Sequence, residues 1–440
     1  MNMNALAQQP VQAARAEQTA QTLLRSHWQE RYAQVREQSL RLCAPLQTED
    51  YVIQTMPSVS PPKWHLAHVT WFFETFLLKP YLPGYREYAP EFAHLFNSYY
   101  QTVGEPYPRA KRGLLSRPGV QEIERYHRHV DQAMQALIET AEEGEPWNEI
   151  ASRLMLGVQH EQQHQELLLT DIKHILASNP LRPAYLQAGG AARRSGTQPQ
   201  PLQWMPHEGG IRQIGHAGDG FCFDNETPRH AALLQDYVLA SRLVTNGEYL
   251  EFIEQGAYQR PDLWLADGWN TVRQEGWRAP LYWEKQQGQW LQMTLSGMQA
   301  LDPDEPVCHV SFYEADAYAR WAGARLPSEA ELEIALAQAP VQGNFVESRH
   351  FHPQPAGALQ TQLYGDVWEW TQSPYTPYPG FRTLGGALGE YNGKFMCNQL
   401  VLRGGSCATP VSHIRASYRN FFMPGDRWQF TGIRLAMLQD

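Results

Sequence analysis

The chain has 440 residues, too long for one ordinary domain, so two are expected. Hydrophobic content of 42% with 19% charged residues is that of a globular protein, and a formal charge of −10 argues against a basic face for nucleic acid or an anionic membrane surface. No apolar run approaches the ~18 residues of a membrane span. The five scattered cysteines (Cys43, Cys222, Cys308, Cys397 and Cys407) include no CxxC pair, which speaks against a disulfide framework or a cysteine zinc site and for a reducing cytoplasm.

In chain order, MNMNALAQQPVQAARAEQTAQTLL lacks the continuous apolar core of a secretory signal and reads as a polar lead-in. Residues 17–180 then carry helical periodicity. LLRSHWQERYAQVREQSLRLCAPL is the first helix. The second opens at SPPKWHLAHVTWFFETFLL, where Ser60 can cap and Pro61 suits the first turn. VQEIERYHRHVDQAMQALIETAEE is the third, and LMLGVQHEQQHQELLLTDIKHIL the fourth. Four amphipathic helices in succession predict a bundle, a fold whose core commonly houses metal sites. Residues 181–201, LRPAYLQAGGAARRSGTQPQP, read as a linker. From 202 to 440 the pattern changes to short strands and turns, such as YGDVWEWT and VLRGGSC, around helices in HVSFYEADAYARWAGARLPSEAELEIALA. This half is predicted to be mixed α+β with a large irregular fraction.

The fourth helix raises a chemical question. His160 and His164 are four residues apart, one above the other on a helix face, and can offer two imidazoles to one ion. Burying them in so apolar a helix without partners would be costly. Asp171 lies near the same stripe and is expected to orient a ligand. A third ligand is sought in WHLAH, at His65 or His68. By contrast, His127 and His129 in RYHRHVD sit among charged residues and read as solvated or network-forming. Three imidazoles leave coordination positions open, which suits an iron or zinc ion that binds substrate directly.

WHLAH followed by HEQQHQE, LPSEAELEIA, GDVWEWT, VLRGGS and a terminal TGIRLA resembles the ergothioneine sulfoxide synthase family along nearly the whole chain. The resemblance implies a DinB-like four-helix bundle followed by a C-type-lectin-like domain of the sulfatase-modifying-factor type. It further implies a non-heme Fe(II) held by His68, His160 and His164, with His65 outside the first ligand set. The implied reaction is oxygen-dependent: a thiol sulfur is joined to the imidazole of hercynine and emerges as a sulfoxide. Asn420 and Phe421, in YRNFF, would lie by the trimethylammonium group, which favours an aromatic lining. Gln163 would contact the substrate imidazole. NSYY places Tyr99 and Tyr100 as the active-site tyrosines, with Tyr375 and Tyr378 as further candidates for the proton or electron donor. Phe421 and Phe422 stand where the branch using γ-glutamylcysteine carries Trp-Asp, which points to free cysteine. Arg109, Arg112 and Arg117, in PRAKRGLLSRP, are candidates for pairing with a substrate carboxylate. The bundle would supply the metal and the second domain would cover it with substrate contacts, a common place for ligand pockets.

Rival readings differ in recognisable ways. A formylglycine-generating enzyme needs a close pair of cysteines after RGGS, whereas RGGSCATPVSHIRASYR has Cys407 alone. An ovothiol-type synthase usually carries a further methyltransferase domain, for which there is no Gly-rich loop here. A selenoneine synthase would keep the same iron and hercynine sites and change the donor pocket. A zinc-dependent thiol transferase would differ in metal and in oxygen dependence, and a lectin-like binding module would have no use for the histidines, Gln163 and NSYY together.

Overall fold

The computed structural model describes residues 24–186, 201–357 and 361–439, so the polar lead-in and most of the expected linker lie outside the described residues. Contacts divide the chain into two compact units. The first comprises residues up to Val52 with Ser60–Ser98 and Gly104–His164; the second comprises Ile53–Val59, Tyr99–Val103 and Gln165–Asp440.

The first unit is helical. Residues 24–43 form α1, Pro62–Phe73 form α2, Val120–Thr140 form α3, and α4 runs from Glu145 to Ser178 and continues into the second unit. Helix α2 begins one residue later than the sequence suggests. Pro61 is extended (φ −60, ψ 142) and serves as the N-cap without a side-chain bond, with Pro62 inside the first turn. The reason is steric, because a residue that precedes proline is disfavoured in the helical region. Ser60, one residue before the N-cap, accepts a hydrogen bond from Arg112 Nη1 at 2.9 Å. A π-helical turn at Glu74–Leu78 extends α2.

Tyr32, Phe72, Phe73, Val130, Met134, Leu137, Leu154 and Val158 fill the core. At Gly157 a Cβ would meet the Phe73 ring at 2.5 Å, so this glycine permits the close approach of α4 to α2. The buried Arg36 and Glu161 are paired. Arg36 reaches Asp131 at 2.8 Å, Glu161 at 3.0 Å and Thr70 Oγ1 at 2.9 Å, and Ser39 donates to Glu161 at 2.6 Å. His127, expected to be solvated or network-forming, takes the second course: it is 2% exposed and lies 2.8 Å from Asp131 Oδ2, within this network. His129 is bonded to the Arg86 carbonyl at 3.1 Å.

The second unit contains four small sheets among its described residues. The four-stranded one places its strands in the order Asn420–Phe422, Leu400–Arg403, Trp368–Pro374 and Thr431–Gly432. Helices Phe312–Trp321 and Glu329–Ala337 each open on a reciprocal capping box, Ser311 with Glu314 and Ser328 with Glu331. The long C-terminal motifs meet as buried ion pairs. Arg403 of VLRGGS bonds Glu329 and Glu333 of LPSEAELEIA, and Arg434 of TGIRLA makes a two-pronged pair with Glu369 of GDVWEWT at 2.8 and 2.9 Å. Among the described residues no helix is long and apolar enough to cross a membrane.

Candidate metal centre

Helices α2 and α4 bring His68, His160 and His164 together, with one potential ligand atom from each within 4.8 Å of the others. His68 Nε2 and His160 Nε2 are 3.3 Å apart. Two nitrogens each about 2.1 Å from one ion lie roughly 3.0–3.4 Å from each other for right-angle to tetrahedral arrangements, so the pair is spaced as co-ligands are. The other nitrogens are assigned by their partners. His68 Nδ1 faces the Phe96 carbonyl at 2.6 Å, which fixes its proton there and leaves the Nε2 lone pair for an ion. His164 Nδ1 lies 2.9 Å from His65 Nδ1, so the first histidine of WHLAH holds the His164 ring in place.

The surroundings keep these rings neutral. Burial pushes the His160 imidazole down to about 3. Burial first, and then the neighbouring His160, also hold His68 and His164 well below the usual histidine range. Neutral imidazoles are what a metal requires. Trp64 stacks on His68 with centroids 4.6 Å apart, and Phe72 lies 4.6 Å from His160. The Arg112 guanidinium lies 3.3 Å over the Trp64 ring and is close enough to lower the affinity of His68 and His164 for a proton. The donor set is all imidazole, and it fits a divalent transition metal with positions left over for substrates.

Asp171 does not sit beside this cluster. Seven residues at about 1.5 Å rise each place it roughly 10 Å along the helix from His164, where it accepts from Trp428 Nε1 at 3.2 Å. Glu166, two residues past His164, is likewise turned to other work. Its carboxylate accepts from Ser406 Oγ (2.5 Å), Trp368 Nε1 (2.6 Å) and Thr409 Oγ1 (2.7 Å), anchoring α4 to the RGGS segment.

The remaining sequence candidates fall as follows. Gln163 is half-buried on α4 beside His164. Arg112 is 3% exposed and bonds Ser60 and Ser98, whereas Arg109 and Arg117 are exposed. In the second unit, Tyr99 and Tyr100 stack with centroids 4.6 Å apart and hydroxyls 3.5 Å apart. Burial raises both phenols above the usual tyrosine range. Phe421 lies flat on Tyr375 at 4.0 Å, Asn420 Oδ1 accepts the Phe421 amide at 3.0 Å, and Phe422 is 6.2 Å from Trp428. Tyr375 and Tyr378 accept from Asn225 and Arg403, at 2.9 and 3.0 Å. Sequence reasoning missed Phe395, whose ring is 5.1 Å from Tyr99 and 6.0 Å from Phe421, so one aromatic wall joins the tyrosine pair to Phe421. A single Phe in NGKFMCN carries no pattern that would have marked it.

Comparison with known proteins places both halves. The DinB superfamily model matches residues 31–168, and the sulfatase-modifying factor enzyme 1-like domain matches residues 198–361 and 347–438. A hercynine oxygenase of Mycolicibacterium smegmatis is 31% identical over 92% of this chain and 97% of its own length. Another, from Mycobacterium tuberculosis, is 31% identical over the same shares. A formylglycine-generating enzyme of Streptomyces coelicolor is 28% identical over 45% of this chain and 76% of its own. The architecture is thus a DinB-like helical domain followed by a sulfatase-modifying-type domain, as the motifs predict.

Proposed function

Because the chain belongs to the hercynine oxygenase family, we propose that it is an oxygen-dependent sulfoxide synthase that joins hercynine to L-cysteine. The observation that carries the reading is the convergence of three neutral imidazoles, His68 and His160 buried and His164 half-buried, with His65 and the Phe96 carbonyl fixing two of their tautomers. Fe(II) held by His68, His160 and His164 would supply the redox chemistry with O2 and the place where both substrates meet. The reaction balances with one O2: the hercynine ring C–H and the thiol S–H are lost, one oxygen stays on sulfur and the other leaves as water.

The protein's own residues bind, orient and move protons. Phe421, flat against Tyr375, offers an aromatic face to the trimethylammonium, with Asn420 beside it. Gln163 hydrogen-bonds the substrate imidazole. Arg112, held by two serines and Trp64, presents a fixed cation to the thiol substrate's carboxylate, and Arg109, on the same short turn, assists from the exposed side. Tyr99 and Tyr100 stay protonated far above neutral pH, so either can donate a proton as O2 is reduced. Cysteine is favoured as the donor because Phe421-Phe422 offers no carboxylate for the second amino-acid head of γ-glutamylcysteine.

The test is aerobic incubation of the Fe(II)-loaded protein with hercynine and L-cysteine, in parallel with γ-glutamylcysteine and an anaerobic control, read by mass spectrometry. An O2-dependent hercynine–cysteine adduct carrying one extra oxygen is expected. Product with γ-glutamylcysteine alone would overturn the donor assignment. No adduct with either thiol despite bound iron would overturn the synthase reading and favour a seleno-sugar donor. Activity with zinc and without O2 would point to a thiol transferase.

A further inference from the structure

The tyrosine pair sits in a short loop with two backbone bonds of its own, Gln101 to the Tyr99 carbonyl and Val103 to the Tyr100 carbonyl, and a segment distant in sequence adds a grip on it. Resting on the synthase reading above, we infer that Glu390 and Lys394 are positioning residues for the tyrosine pair. Glu390 accepts the backbone N–H of Gln101 (3.1 Å) and of Thr102 (3.0 Å) and the Thr102 hydroxyl (2.7 Å). Lys394, four residues on, donates to the Tyr99 carbonyl and to Glu390 Oε2, the latter at 2.8 Å. Its ammonium also lies 4.9 Å over the Tyr99 ring. The carbonyl before Tyr100 and the two amides after it are therefore fixed by one ion pair, which leaves the Tyr100 backbone little freedom.

The grip has a rigid base. Between the two charged residues, Tyr391 is 4% exposed and stacks on Phe223 at 5.4 Å, while Asn392 is 3% exposed and donates to Asp224 at 2.7 Å. Phe395, next along, closes an edge contact with Tyr99. A purely decorative surface pair would be expected to contribute little. This one differs because its carboxylate takes up the Thr102 amide of a loop almost three hundred residues away in sequence and shares the Gln101 amide with the Tyr99 carbonyl. A proton donor must be placed within hydrogen-bond reach of the atom it serves, so backbone drift at residues 99–102 would be felt in the proton step before it was felt in substrate binding.

The experiment uses the full-length Fe(II) protein and the variants Glu390→Ala, Glu390→Gln and Lys394→Met, with thermal melts to check folding. Amide exchange of residues 99–103 is read alongside kcat, the hercynine KM, and O2 consumed per sulfoxide formed. Glu390→Ala is expected to speed exchange at Gln101 and Thr102 and to lower kcat roughly 10-fold or more, within the 10²–10⁴-fold that a positioned proton donor contributes. KM should stay within about 2-fold and O2 use per product should rise. Glu390→Gln, which keeps one acceptor oxygen, should recover part of the loss. In a Tyr99→Phe/Tyr100→Phe background the same substitution should have little further effect on kcat. Unchanged exchange would overturn the grip; faster exchange with kcat and coupling unchanged would overturn the positioning role. A wild-type protein that makes no sulfoxide would overturn the synthase reading, and this role with it, whereas a productive wild type with an equally coupled Glu390→Ala would overturn this role alone.

Discussion

Replacing His65 with Phe should weaken the metal centre without touching a ligand. For His164 to bind an ion through Nε2, its Nδ1 must carry the proton, and that proton then points at His65 Nδ1, 2.9 Å away. Phe fills a similar volume but offers no acceptor, so a buried N–H is stranded at a cost of about 1–3 kcal/mol. Partners of this kind usually account for roughly 10–100-fold in metal affinity, which is about 1.4–2.8 kcal/mol at 1.4 per decade. The two routes agree. Fe(II) or Co(II) affinity would be read by competition with a chromogenic chelator under argon, for wild type, His65→Phe, His65→Asn and His68→Ala. Asn keeps an acceptor and should fall between the first two, while His68→Ala removes a ligand and should bind worst. If His65→Phe held the metal within about 2-fold of wild type while His68→Ala lost it, the assignment of proton and ligand atom to His164 would be wrong.

Removal of Arg36 by Ala should destabilise the first unit by about 3–5 kcal/mol, because Glu161, fully buried, would lose its cation; urea unfolding reads this directly. Glu166→Ala strands three donors (Ser406, Thr409 and Trp368) and should cost at least about 3 kcal/mol by the same assay, with Glu166→Gln less harmful. Lys173 gives a pH signature. Burial lowers its ammonium from 10.5 to about 8, and it lies 2.7 Å from His309 Nε2. Between those values the unfolded chain holds a proton that the folded chain has lost, so stability rises with pH from about 8 to 10.5. Relative to Lys173→Met, wild type should gain on the order of 3 kcal/mol across that window; parallel pH curves for the two proteins would refute it.

The chemistry-bearing spacing was legible because it is local. His160 and His164 share a helix face by arithmetic alone, and the apolar flanks say that the face is buried. Asp171 shows the limit of that arithmetic: the angular position was right, but the axial distance put it against Trp428 instead. Ser60 failed for another local reason, since two successive prolines shift the helix start by a residue. What remained hidden depends on contacts across the sequence. Nothing in HLAH tells which histidine supports the other, and nothing near Glu390 hints at Gln101 and Thr102. In the C-terminal half the longest motifs turn out to be scaffolding. Glu369, Arg403 and Arg434 are nearly or fully buried and spend their charges on one another and on Glu329 and Glu333. Phe395, which links Tyr99 to Phe421, lies in a stretch with little pattern of its own.

Helix α4 also limits how this protein can be taken apart or recombined. A fragment beginning at residue 202 would have the strands and motifs of the second half but would arrive without Glu166, Asp171 and Lys173. Ser406, Thr409, Trp368, Trp428 and His309 would then each lack the partner that the last turns of the helix provide. Moving the cut upstream to rescue them runs into His164 and His160 within a few residues, on an unbroken helix 34 residues long. Domain swapping between relatives would therefore have to exchange the histidine-bearing helix together with the C-terminal half, and a chimera joined at the Gly-rich stretch after residue 186 would retain matched partners only where both parents agree at these positions.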